Sequence, residues 1–152
     1  MGRRRRRRGP PGWARAKDVL ERLLRARGVE RPADKIGRVR FIGEGISYRT
    51  YAATCELPNA EGEVEELSLV VRLPRHECAS ELVETAEREA RVLEHLSKLS
   101  LPLQIPRPID MVLAEPGMAP VQTAVFGIPL DFKKHGACIV GCCSRRELSL
   151  RR

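Results

Sequence analysis

Two ionisable residues of opposite charge stand where the hydrophobic pattern asks for apolar ones. Arg72 interrupts the run Leu67-Ser68-Leu69-Val70-Val71-Arg72-Leu73, whose odd positions are all apolar. Side chains alternate across a strand, so Arg72 shares a face with Ser68 and Val70, away from the leucines. Glu89 lies in the stretch Ser80 to Leu96, where Leu82, Ala86, Leu93 and Leu96 recur at the spacing of one helix face. The glutamate falls inside that apolar stripe. A carboxylate buried there alone costs several kcal/mol, and Arg72 is the obvious partner to relieve it. A guanidinium held this way presents a planar fork that suits phosphate oxygens. The same pair could equally do no more than stitch a helix to a sheet.

The elements that must position this pair are readable on either side of it. Residues 38–42 and 48–55 are rich in aromatic and β-branched side chains, and Gly43-Glu44-Gly45 separates them as a turn. With a second turn at Asn59 to Gly62, they make three antiparallel strands ending at Leu73. Amides at Gly43, Glu44, Gly45 and Ser47 could hold phosphates, because glycine lets a backbone approach a ligand closely. The segment lacks a third glycine, with Tyr48 standing where one would be, and it has no Walker A lysine. Trp13 to Arg27 reads as an amphipathic helix that turns Val19, Leu20, Leu23 and Leu24 inward and stops at Gly28, a cap over the sheet. Ser80 is the expected N-cap of the helix bearing Glu89. After a proline-punctuated connector from Pro102 to Pro108, residues 109–114 and 121–126 read as two more strands around Glu115-Pro116-Gly117. The fold class that results is α+β: about five antiparallel strands, one principal helix carrying Glu89, and an N-terminal helix.

A glycine turn, a basic residue on the third strand and a glutamate on the next helix describe the nucleotide-binding lobe of kinase-like phosphotransferases. Between about Val39 and Leu130 the chain resembles the aminoglycoside phosphotransferase family, whose relatives include choline and homoserine kinases. The likeness rests on Ile42 to Tyr51, Val70 to Pro74, Arg88 to Leu96 and Ile105 to Pro108, taken in order. The resemblance implies a kinase-like N-terminal lobe with ATP as its cofactor. Gly43, Glu44, Gly45 and Ser47 would then lie over the phosphates, with Arg72 and Glu89 beneath them. It also implies that the fifth strand runs into a connector whose backbone meets the adenine, here at Ala124 to Phe126. An acidic residue usual in that connector is absent.

The groups that complete phosphoryl transfer are an aspartate to accept the hydroxyl proton and Asp and Asn side chains to hold magnesium. The family takes these from a second lobe. This chain has one asparagine, Asn59, and beyond the fifth strand one aspartate, Asp131; His135-Gly136 is followed by Ala137 instead of the family's aspartate. No catalytic or metal-binding residue is assigned, and magnesium is expected only if a second lobe is supplied. The reading is of a lobe that ends before its catalytic loop, with a second-lobe protein or a second copy as its possible partner. A non-catalytic binding module of the same fold is the alternative.

The net charge of +8 belongs to the ends of the chain. Arg3 to Arg8 supply six positive charges, and residues 131–152 hold six basic and two acidic groups, while residues 9–130 are close to neutral. Residues 1–12 read as a disordered tail, 13–130 as the lobe, and 131–152 as an atypical cysteine- and arginine-containing tail. A basic run can attract nucleic acid, but no aromatic interleaves these arginines, so nucleic acid is not the expected partner. His135, Cys138, Cys142 and Cys143 match no familiar zinc spacing. No run reaches the roughly 20 apolar residues of a membrane span, and scattered cysteines without an export signal imply a cytoplasmic setting.

Overall fold

The computed structural model describes residues 12–75, 79–115 and 117–125. Gly12–Ala26 form helix α1, whose Ala16, Val19, Leu20, Leu23 and Leu24 are each at most 1% exposed. Its outer face carries the i,i+4 pairs Asp18–Arg22 and Glu21–Arg25 at 2.8 and 2.9 Å. Gly28 ends it, as its φ of +80° allows: Val29 N–H donates to Leu24 O and Gly28 N–H to Arg25 O, each at 3.0 Å. A short 3-10 turn at Pro32–Lys35 leads to the sheet.

Five strands follow, all antiparallel: β1 (Arg40–Glu44), β2 (Tyr48–Pro58), β3 (Val64–Pro74), β4 (Pro108–Ala114) and β5 (Gly117–Thr123). Their spatial order is β1-β2-β3-β5-β4. The expected sheet is present, with different bounds. β2 and β3 pair without a break from Tyr48↔Pro74 to Pro58↔Val64, so β3 starts three residues before the apolar run. Glu65 and Glu66 hid that start, because both are exposed and neither needs to be apolar. Asn59 closes the hairpin by accepting the amides of Glu61 and Glu63 at 2.9 Å on its side-chain oxygen. β5 begins at Gly117 instead of 121. Pro120 argued against a strand there, yet β3 pairs only with Val121–Thr123, so the missing N–H falls beyond that ladder.

The main core lies under α1. Tyr51, Ala53, Cys55 and Leu57 of β2 and Leu69, Val71 and Leu73 of β3 meet it together with residues of β4 and β5, all below 10% exposure. Cys55 is 1% exposed, and burial pushes its thiol up to about 12, which leaves it protonated and unreactive at neutral pH. Helix α2 (Ala79–Ser97) packs on the opposite face against β5 and β4. It begins at Ala79, so Ser80 is not its cap. Leu82 and Ala86 are buried, but Leu93 and Leu96 are only partly so. The helix bearing Glu89 is therefore the lesser packing partner, and the N-terminal helix is the one that closes the core.

Strand β4 is an outer edge, and guanidinium groups from α1 and from Arg27 just after it cover that edge. Arg22 and Arg27 donate to the carbonyls of Leu113 and Ile109 at 3.2 and 3.3 Å, and Arg15 donates to that of Glu115.

Candidate functional site

The β2–β3 register puts Thr50 opposite Arg72 and Tyr48 opposite Pro74. Tyr48 therefore shares the face of Arg72 as its diagonal neighbour, within reach of a long side chain. The guanidinium carbon of Arg72 lies 4.4 Å from the centre of the Tyr48 ring. Its Nη1 donates to Glu89 Oε1 at 2.6 Å. One plane of the guanidinium is thus covered by an aromatic face and one N–H is fixed by a carboxylate. The remaining donors of its planar fork have no partner among the described residues. Tyr48 is itself held: it is 8% exposed, and its hydroxyl donates to Leu82 O of α2 at 3.4 Å. Burial raises its pKa above the ordinary phenol value, with Glu89 adding to the rise and Arg72 opposing it, so the ring stays neutral beside the cation.

The Arg72–Glu89 pair forms as the strand and helix periods require, but not in a buried setting. The two side chains are 23% and 40% exposed, because the open end of α2 leaves Glu89 beside a cleft. That cleft, about 580 Å³, runs between α2 and strands β4 and β5, with Arg107, Asp110, Pro120 and Gln122 among its walls.

The glycine bend sits at the end of the same face. Gly43 and Glu44 belong to β1, and the chain reverses over Gly45 to Ser47. Neither Gly43 nor Gly45 has a positive φ, and a Cβ at either would meet nothing within 4 Å. The expectation that these glycines permit a tight turn is therefore corrected: the fold does not require them, and what they leave is bare backbone facing open space. The Gly45 amide is already bonded to Tyr48 O at 2.9 Å, and Glu44 pairs with Arg49 at 2.9 Å. Arg75, three residues beyond Arg72, ties the bend to β3: its amide donates to Ser47 O at 3.0 Å and its Nη1 to Gly45 O at 3.2 Å. The Ser47 hydroxyl is without a hydrogen bond among the described residues.

At the far end of the face, the Ala124 amide donates to Ser68 O at 2.7 Å and is not free to meet a base. Phe126 lies outside the described residues, as do His135, Cys138, Cys142 and Cys143. Among the described residues no group of three or more His, Cys, Asp or Glu is arranged to hold a metal. The described side chains do not fit a magnesium site. No described helix is long and apolar enough to cross a membrane.

The structure pairs Arg72 with Glu89 and adds Tyr48, which the sequence placed at the start of the second strand and where a third glycine would stand; the bend from Gly43 to Ser47 is tied to β3 through Arg75. The signal for Tyr48 was the parity of the hairpin, since a register slipped by one residue would turn residues 48 and 72 to opposite faces.

No curated protein and no solved structure matches the chain. Residues 38–122, more than half of it, match the phosphotransferase enzyme family, a stretch running from just before β1 to the last residues of β5. That span contains the bend, the Arg72–Glu89 pair and the antiparallel sheet of a kinase-like N-terminal lobe, and on this basis the chain belongs to the phosphotransferase enzyme family.

Proposed function

We propose that this chain is the nucleotide-binding lobe of a small-molecule kinase and that it binds ATP, with Arg72 on the phosphates. The observation that carries this reading is the posture of Arg72. Its guanidinium is stacked on Tyr48, held by Glu89 at 2.6 Å, and keeps N–H groups without a partner among the described residues, beside an open cleft. A purely structural ion pair has no need of the ring or of the opening. Bare backbone at Gly43 and Gly45 supports the same reading, since a ligand is what would use the space.

The chain's own residues bind and orient; they do not complete the chemistry. Its only asparagine, Asn59, is engaged in the β2–β3 turn, and the described lobe offers no carboxylate cluster for a metal. Turnover therefore requires groups supplied by a second lobe, and acceptor recognition belongs there too.

Replacing Arg72 by Ala tests the assignment. Charge-assisted hydrogen bonds are worth about 1.5–3 kcal/mol, so ATP affinity measured by calorimetry should fall about ten- to a hundredfold. Unaltered affinity in a variant with native circular dichroism would refute the reading.

A further inference from the structure

The glycine bend is held from β3 by a residue that has no part in that reading. β3 ends at Pro74, opposite Tyr48, and the ladder continues past it: the Arg75 amide donates to Ser47 O at 3.0 Å. The Arg75 side chain then reaches back along the bend, where its Nη1 donates to Gly45 O at 3.2 Å. A single residue thus binds two carbonyls of the bend, one from its main chain and one from its guanidinium. Arg75 is exposed and has no carboxylate partner among the described residues, so its side chain is engaged there by a neutral peptide alone. The acid of the bend, Glu44, is taken by Arg49 at 2.9 Å.

The consequence falls on the peptide unit between Gly45 and Ile46. A trans peptide is planar, and its C=O and N–H point in opposite directions. Strand alternation sets Arg75 on the side of Leu73, which is buried in the core under α1, and Arg72 on the other side. Drawing the Gly45 oxygen toward Arg75 therefore turns the Ile46 N–H toward the side of the sheet that carries Arg72. Among the described residues that amide has no acceptor and neither has the next, that of Ser47, whereas the Gly45 amide is taken by Tyr48 O at 2.9 Å. Successive free amides in a bend are an anion-binding arrangement. Glycine at position 45 leaves the peptide free to rotate, and the Ile46 side chain is 92% exposed, so no packing fixes it. We propose that Arg75 is a positioning residue for the nucleotide: by holding Gly45 O it presents the Ile46 N–H to a phosphate oxygen. The inference rests on the reading that Arg72 binds the phosphates of ATP, and it adds one more donor and the residue that aims it. Arg75 itself stands on the far side of the bend and does not touch the phosphates.

The test follows the Ile46 amide by NMR in the full chain labelled with nitrogen-15. Adding ATP should shift that resonance saturably and slow its exchange with water. In Arg75→Met the shift should be largely lost, and ATP affinity by calorimetry should fall about three- to tenfold, the net worth of one hydrogen bond. Arg75→Lys keeps a donor for the carbonyl and should hold affinity within about threefold of the parent. Both variants retain the main-chain bond to Ser47, and circular dichroism checks their fold. The loss in Arg75→Met should be the same at low and high salt, because an effect relayed through a neutral peptide is not screened. A loss that fades as salt rises would make Arg75 a charge acting directly on the phosphates and overturn its positioning role. Unchanged affinity in Arg75→Met, or an Ile46 amide that does not respond to ATP, overturns it as well. In each of these cases the ATP reading stands if Arg72→Ala still weakens binding, whereas ATP that fails to bind the parent overturns both.

Discussion

Arg72 is constrained by three neighbours that act through different physics. Glu89 fixes one N–H by charge, Tyr48 holds the plane by stacking, and Thr50 opposite it sets the spacing through the ladder. Both members of the ion pair are partly open to water, so its net contribution to stability is toward the low end for such pairs. In the function proposed, its value lies in aiming the guanidinium. The ring makes a separate contribution of about 0.5–2 kcal/mol as a cation–π contact, beyond the area it buries. Tyr48→Phe keeps the ring and loses only a long hydroxyl contact, so it should cost less than about 1 kcal/mol in urea unfolding and leave ATP affinity within about twofold. Tyr48→Ala removes the ring beneath the guanidinium and should cost about 2–4 kcal/mol with a roughly tenfold loss of ATP affinity. Equal losses in the two variants would mean that the hydroxyl, not the stack, orients Arg72.

Among the elements, the two outer strands are guarded in different ways. β1 is five residues long and its register shifts between Phe41 and Gly43, an irregularity that spoils an edge as a template for another chain. β4 is longer and regular over most of its length, and its defence is the row of guanidinium groups from Arg15, Arg22 and Arg27 on exposed carbonyls. Replacing all three by Ala should lower stability by no more than about 2 kcal/mol, since each bond is exposed. The same variant should scatter light at concentrations where the parent stays clear; equal clarity would show that the edge needs no cover. That edge device was not legible in the sequence, where the three arginines look like an ordinary solvated helix face. Leu67 to Leu73, by contrast, announced both its strand and its inward face, because alternation is a local property. Tyr48 was lost because its orientation depends on the centre of the Asn59 turn, and a one-residue error there turns every side chain of β2 over. The glycines were legible as a bend but not in their reason, since only coordinates show that neither φ nor crowding calls for them.

At the scale of the whole molecule, the sheet divides two jobs between its faces. The α1 face holds Leu20, Leu24, Leu69, Val71 and Val121, each at most 1% exposed, and it supplies most of the hydrophobic stabilisation. The α2 face is polar at Arg72 and Glu89, opens into the cleft and buries α2 mainly through Leu82 and Ala86. Such a division should appear as unequal local stability, because segments with few buried contacts open without global unfolding. Native-state hydrogen exchange followed against urea tests it directly. Amides of α1 and of the β2–β3 ladder should exchange only through global unfolding, whereas those in the second half of α2 should exchange earlier and with little urea dependence. Leu20→Ala should accordingly cost about 3–5 kcal/mol of global stability, and Leu93→Ala less than about 1.5. Saturating ATP should slow exchange along α2 more than along α1, since a ligand engaged by Arg72 loads the Glu89 contact that ties this helix to the sheet. If α1 and α2 instead exchange together as one cooperative unit, the α2 face is as tightly built as the other and the division of jobs between the two faces is refuted.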